Sequence, residues 1–197
     1  KIIFPMLTIL VFWSFVPEKI PTSERSTAAI LANSKRLEAE FNKKHLKLGS
    51  PIFMRILKAQ NELELWVKDG DTFSKFKTYK ICYFSGIAGP KTKQGDRQSP
   101  EGFYYVKPYQ MNPWSDYHLS FNLGYPNKYD RAQGYTGNYL MIHGSCVSIG
   151  CYAMTDETIE ELWTIASKAL EQGQPFFSVH SFPFPLTNEN LELQKEN

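Results

Sequence analysis

The stretch "MIHGSCVSIGCYAMTD", residues 141–156, puts one histidine and two of the three cysteines within nine residues, set among glycines and serines. Its order is an apolar run, a turn of small residues, and a Thr-Asp pair suited to cap a helix. The residues around it extend that pattern. Upstream, "NYLMIH" (138–143) reads as a strand that delivers His143 at its tip. Downstream, "TDETIEELWTIASKALEQG" (155–173) is the clearest helix, with Ile159, Leu162, Trp163, Ala166 and Leu170 on one apolar stripe. Thr155 or Asp156 caps its start, acids crowd its first turns and Gly173 stops it.

Further towards the N-terminus the periodicity changes from helical to alternating. "IFMRILK" (52–58), "ELELWVK" (62–68) and "FKTYKICYF" (76–84) are rich in β-formers. Leu63, Leu65 and Val67 alternate with Glu62, Glu64 and Lys68, which predicts one buried and one wet face, with Trp66 on the wet one. Asp69-Gly70 suits a tight hairpin turn. "FYYV", "YHLSFNL" and "FFSVHSF" (176–182) add further strands, and His118 and His180 fall in these runs. A loop rich in glycine and proline, residues 86–102, interrupts them. Loops of that length in compact domains are usually functional or disordered. The expected class is mainly β, with one prominent helix after the cysteine loop and a helical N-terminal extension.

The expected division is a leader or anchor at 1–17, a linker or helical extension at 18–48, one domain at 49–185 and a tail at 186–197. The first segment, "KIIFPMLTILVFWSFVPEK", has a basic start and an apolar run shorter than a spanning helix requires, with Pro5 inside it. It reads as a secretory signal or an uncleaved anchor, and export to the cell envelope or periplasm is the expectation. At 197 residues, 42% hydrophobic and 21% charged, the chain fits one globular domain. A net charge of +2 with scattered basic residues gives no electrostatic support for nucleic-acid binding. Membrane contact is expected only through the N-terminal segment.

Three chemistries compete for the opening stretch. A structural zinc site needs four ligands in paired clusters, and no second cluster is present. A Cys146–Cys151 disulfide fits an exported protein. The third is a cysteine nucleophile beside a histidine base, with Cys151 at a small-residue turn and the Gly150 and Cys151 amides aimed at an oxyanion. In that reading the His143 ring is oriented by a backbone carbonyl, that of Gly144, and Ser148 orients the loop. An activated Cys151 would label rapidly at pH 6. Cys82 reads as a buried, inert thiol, and Cys146 as a packed thiol or a redox partner that silences Cys151.

These residues resemble the YkuD-type L,D-transpeptidases of the bacterial cell wall. His143-Gly144 matches the first part of the family signature, and Ser148-Ile149-Gly150-Cys151-Tyr152-Ala153-Met154 the second. "SPEGFYYV" (99–106) is similar to a further family stretch, and "GSPIFMRI", "QGDRQSPEGFY", "YLMIHG" and "CVSIGCYAMT" point to the YafK-like subgroup. The resemblance covers roughly 49–185. It implies a β-sandwich-like fold, Cys151 as nucleophile, His143 as base, no metal or cofactor, and diaminopimelate-containing peptidoglycan stem peptides as substrates. Ile149 stands where the family has a second histidine, and Ala153 where it has an arginine that meets a substrate carboxylate. Arg131 and Arg97 are the candidates to replace that arginine, and Tyr152 to line a peptide groove. The alternatives are an amidase that cuts a diaminopimelate–lipoprotein link, and a non-catalytic envelope protein that binds peptidoglycan.

Overall fold

The computed structural model describes residues 18–195. The expected leader or anchor at 1–17 lies outside them. Among the described residues no helix is long and apolar enough to cross a membrane.

The chain is mainly β. In order it forms α1 (Glu24–Lys43), β1 (Ile52–Leu57), β2 (Glu62–Asp69), β3 (Thr72–Lys80), β4 (Tyr83–Phe84), β5 (Gly102–Val106), β6 (Met111–Asn112), β7 (Ser120–Asn122), α2 (Lys128–Ala132), β8 (Met141–His143), β9 (Tyr152–Ala153), α3 (Asp156–Glu171), β10 (Phe177–Phe182) and α4 (Asn188–Lys195). The strands build two five-stranded sheets, in the orders β3-β2-β1-β10-β5 and β4-β9-β8-β7-β6. Each is antiparallel apart from one parallel pair, β1 with β10 in the first sheet and β8 with β9 in the second.

The alternation in β2 has the expected consequence. Leu63, Leu65 and Val67 are fully buried, and Asp69 pairs with Thr72 across a two-residue turn at Gly70, whose φ is +57°. Asp69-Gly70 therefore opens the hairpin, because glycine takes positive φ without steric cost. Glu64 departs from its expected wet position. It is buried, and its carboxylate takes hydrogen bonds from Arg55, Lys75 and Trp66. Trp66 stays half-buried on the outer face, stacked on Phe53 and under the Arg55 guanidinium.

The core lies between the sheets and under α3. Phe121 of β7 stacks on Trp163 of α3 and meets Phe177 of β10 edge-on. The N-terminal helix belongs to this core. α1 packs on α3, burying Ala29, Leu37 and Phe41, and Glu161 of α3 binds Arg36 of α1 together with Lys77 and Tyr79 of β3. Burial pushes the Glu161 carboxyl up, but those three donors outweigh it and hold the group below the usual range. α3 is capped by Thr155, whose hydroxyl accepts the Thr158 N–H, with Asp156 and Glu157 in its first turn.

Candidate active site

β8 is a short strand of the second sheet, and its last residue is His143, which is buried. β9 runs parallel beside it, with Ile142 opposite Tyr152 and His143 opposite Ala153. Side chains alternate faces along a strand. Cys151, one residue before β9, therefore shares the face of Ala153 and His143. The Met141 N–H donates to the Cys151 Sγ at 3.4 Å, which extends the register by one position. Two positions along and one strand across puts the Cys151 and His143 Cα atoms roughly 8 Å apart, within reach for side chains on one face.

His143 Nδ1 lies 2.6 Å from the Gly144 carbonyl oxygen. A carbonyl only accepts, so Nδ1 carries the proton and Nε2 presents a lone pair. The Tyr117 ring covers the imidazole at 4.7 Å between centroids. Gly144 is glycine because of close approach. A Cβ there would lie 2.5 Å from Asp156 Oδ1 and 2.9 Å from His118 Cβ.

Burial shapes both groups. It lowers the His143 pKa, against the Gly144 hydrogen bond that raises it, and it raises the Cys151 thiol, against the Met141 N–H and the charge of Lys91 that lower it. Both groups therefore rest neutral, one as thiol and the other as imidazole. This revises the expected rapid labelling at pH 6, because a desolvated thiol stays protonated there.

Ser148 staples the turn. Its hydroxyl donates to the Cys151 carbonyl at 2.8 Å and accepts the Gly150 N–H at 3.1 Å. The Gly150 N–H, expected at the oxyanion, is thus committed to Ser148. The Cys151 N–H makes no hydrogen bond among the described residues and remains as the other expected donor. β9 lies between the cysteine turn and α3, and the Asp156 carboxylate in the first turn of α3 accepts the Ser145 N–H.

The cysteine pairing differs from every pairing expected. Cys82 and Cys146 form a disulfide, with Cα atoms 5.4 Å apart, and Cys151 is free. The sequence suggested a buried Cys82, but the run alternates. Ile81 points into the core and Cys82 is exposed on the other side, where the loop after β8 reaches it. The Cys82 N–H donates to the Ala153 carbonyl and the Cys146 N–H to the Met154 carbonyl, so the bridge spans the end of β9.

Tyr152 is not a groove residue. It alternates away from Cys151 into the core, fully buried, with its hydroxyl on Pro100 O at 2.6 Å and Ser181 Oγ at 2.7 Å. Ala153 is also fully buried. Arg97 lies exposed on the 86–102 loop, two residues before Ser99, whose hydroxyl donates to the Cys151 carbonyl. Arg131 is on α2, in a cleft whose walls include neither Cys151 nor His143. His180 sits in an aromatic cluster with Phe53, Phe103 and Phe182, as a sheet histidine. His118 is in a turn at φ +68°, with Nε2 2.8 Å from Glu160 of α3. Sequence reasoning missed Lys91, a buried cation whose charge acts on Cys151 and whose ammonium binds Asp96 at 2.5 Å. Its one signal was a Lys and an Asp five residues apart in a long glycine-containing loop.

A free thiol and an oriented imidazole on one face of paired parallel strands, backed by a second sheet, define the class of this domain. The YkuD family model, the L,D-transpeptidase catalytic domain, matches residues 54–173, and the chain belongs to that family. It is 49% identical over 148 residues to the Escherichia coli (strain K12) protein provisionally named L,D-transpeptidase YafK, a match covering 75% of this chain and 60% of the relative. The Escherichia coli O157:H7 protein of the same name matches equally. The chain thus spans about 60% of the length of the curated relatives it matches. Among solved structures, the helical cell shape determining protein Pgp2 from Campylobacter jejuni has the same fold, with a TM-score of 0.52 at 24% identity, over 68% of this chain and 51% of that one.

Proposed function

We propose that the protein is a cysteine acyl-transfer enzyme of the cell envelope acting on diaminopimelate-containing peptidoglycan peptides. One observation carries this reading: the only free cysteine of three shares a sheet face with a histidine whose Nδ1 is fixed on a carbonyl. In this mechanism His143 Nε2 takes the Cys151 proton as sulfur attacks the carbonyl carbon of the scissile amide. The C–N bond breaks, the leaving amine takes the proton from His143, and a thioester on Cys151 remains. An amine or water then attacks the thioester and gives its proton to His143 Nε2, the C–S bond breaks, and the departing Cys151 thiolate takes that proton back from His143. The Cys151 N–H is the candidate donor to the oxyanion.

A second reading, hydrolysis of a diaminopimelate–lipoprotein amide, is favoured by Ala153. That position is buried, and Arg131 lies elsewhere, so no guanidinium from either place meets a free carboxylate beside the nucleophile. Arg97 is the arginine placed to test this choice.

The experiment is mass spectrometry of muropeptides after incubating the protein, and separately Cys151→Ala, with sacculi carrying bound lipoprotein. New diaminopimelate–diaminopimelate cross-links support transpeptidation, and freed lipoprotein peptide without cross-links supports the amidase. Products identical for both proteins would leave a non-catalytic peptidoglycan-binding role and sink the proposal.

A further inference from the structure

Between β5 and α2 lies a cleft of about 510 Å³, separate from the thiol and imidazole. Three of its aromatic rings stand well out into solvent: Phe103 at 63%, Tyr109 at 60% and Tyr129 at 66% exposure. Rings left this bare together mark a binding surface rather than a shortfall in packing. Cations surround them. Lys128 and Arg131 line the cleft, and the Lys107 ammonium lies 5.8 Å from the centre of the Tyr105 ring and 6.0 Å from that of Tyr109. None of the three pairs with a carboxylate among the described residues. Asp130, on the same helix, is buried and spoken for, since its Oδ2 accepts the Asn127 N–H and the Tyr104 hydroxyl.

Three unneutralised cations around bare aromatic rings complement a ligand whose carboxylates outnumber its ammonium groups. The cleft is also tied to the catalytic strand. The Leu123 N–H at its wall donates to the Leu140 carbonyl at 2.9 Å, and the neighbouring Tyr139 carbonyl lies 3.6 Å from Cys151 Sγ. We infer that this cleft is a second substrate site, which holds a carboxylate-bearing peptide stem of the wall polymer while another stem occupies Cys151. The inference rests on the acyl-transfer reading for the identity of the polymer. It assigns Arg131 to carboxylate recognition away from the nucleophile, not to replacing the arginine absent at Ala153. A wall polymer carries many stems, and a second foothold raises the effective concentration of the first.

The test uses the full chain as Cys151→Ala, with its thiol absent and no turnover. Binding of a synthetic diaminopimelate-containing stem peptide is followed by NMR at two salt concentrations, against the same peptide with its carboxylates amidated and against neutral chitotetraose. The expected result is shifts at Phe103, Tyr109 and Tyr129, affinity that falls with salt, and little binding of the amidated peptide. Lys128→Ala and Arg131→Ala should each weaken binding about tenfold, as loss of a charge-assisted contact does. The Lys128 side chain is exposed and makes no hydrogen bond or ion pair among the described residues, so its variant keeps the test free of folding effects. Unchanged affinity in both variants, tighter binding of chitotetraose, or shifts confined to Tyr117 and Tyr139 would overturn the inference. Because the readout is binding without turnover, failure of the catalytic reading leaves its outcome intact.

Discussion

In the sheet β3-β2-β1-β10-β5 the strands run from five to nine residues, whereas those of β4-β9-β8-β7-β6 run two or three. Long ladders and a continuous apolar face hold the first sheet. The second cannot be held that way, since strands of two residues contribute few ladder bonds. It is fixed instead by particular devices: the Cys82–Cys146 bridge across the end of β9, the Ser148 staple, the Gly144 close approach and the Tyr152 hydroxyl that reaches the first sheet. One sheet is held by its ladders, and the other, held by these devices, carries the Cys151 thiol and the His143 imidazole on one face.

The largest effect should follow from removing the proposed base, a substitution in the second sheet that leaves the ladders of the first in place. His143→Ala is expected to lower kcat by roughly 10²–10⁴-fold, the usual contribution of a positioned general base. In the parent protein the acid limb of kcat/KM should lie below 6.5, the ordinary imidazole value, because burial lowers the His143 pKa and keeps the ring a base to lower pH. Thiol labelling should show the opposite displacement. The Cys151 pKa is raised, so the rate climbs only at a pH above that needed by an ordinary cysteine. Fast labelling at pH 6 would mean an ion pair and sink the neutral resting state.

Stability separates the two sheets next. Leu65→Ala, in the buried face of β2, should cost about 2–5 kcal/mol of unfolding free energy while folded molecules keep their kcat. Cys82→Ser opens a bridge between residues 64 apart in sequence, for which loop-closure entropy gives up to about 4 kcal/mol. Unlike the core change, it should also slow turnover, since the bridge spans the strand that follows Cys151. Denaturant melts paired with kcat on the folded fraction read both quantities. Equal kcat in the two variants would show that the bridge serves stability alone.

Gly144→Ala probes the same positioning more finely. The new Cβ would meet the His118 Cβ at 2.9 Å and Asp156 Oδ1 at 2.5 Å. The carboxylate can swing away, but His118 is held by Glu160, so the Gly144 backbone must move. Its carbonyl orients His143. Overpacking of this size costs about 1–3 kcal/mol, and kcat should fall about 10–100-fold with KM little changed, as for a misplaced catalytic group. A lower KM-limited rate with kcat intact would place the effect in binding instead.

The contrast between the sheets is also a contrast in what the residues disclose. The alternation of Leu63, Leu65 and Val67, the Asp69-Gly70 turn and the Thr155 cap are local signals, and β2, the hairpin and α3 form where they indicate. His143 at a strand tip beside the Gly144 carbonyl was legible because an apolar run ends at it and no acid follows closely to orient its ring. The cysteine pairing was not. Whether Cys82 faces in or out depends on an irregularity within β3, where Lys77 pairs with Leu65 but Lys75 with Trp66, and such a one-residue shift exchanges faces for everything that follows. Tyr152 was misread for a related reason. A two-residue strand has too little pattern to show which neighbour of Cys151 turns inward. α1 read as a helical extension or linker outside the domain because its few apolar residues count only once α3 supplies the surface that buries Leu37 and Phe41.

Ser148 carries the smallest effect and the sharpest distinction. Its hydroxyl bonds the Cys151 carbonyl and the Gly150 N–H, while Ser99 also reaches that carbonyl at 3.3 Å. Ser148→Ala therefore removes one staple of two and should cost about 1 kcal/mol. If the staple serves to hold Cys151 in line with His143, kcat falls about tenfold and KM stays put. The same substitution frees the Gly150 N–H. Were that group an oxyanion donor withheld in the resting enzyme, its release would offset the lost staple, and kcat would hold or rise. Steady-state kinetics on one variant thus decides between two donors. A tenfold loss leaves the Cys151 N–H as the group that meets the oxyanion, and no loss returns the role to Gly150.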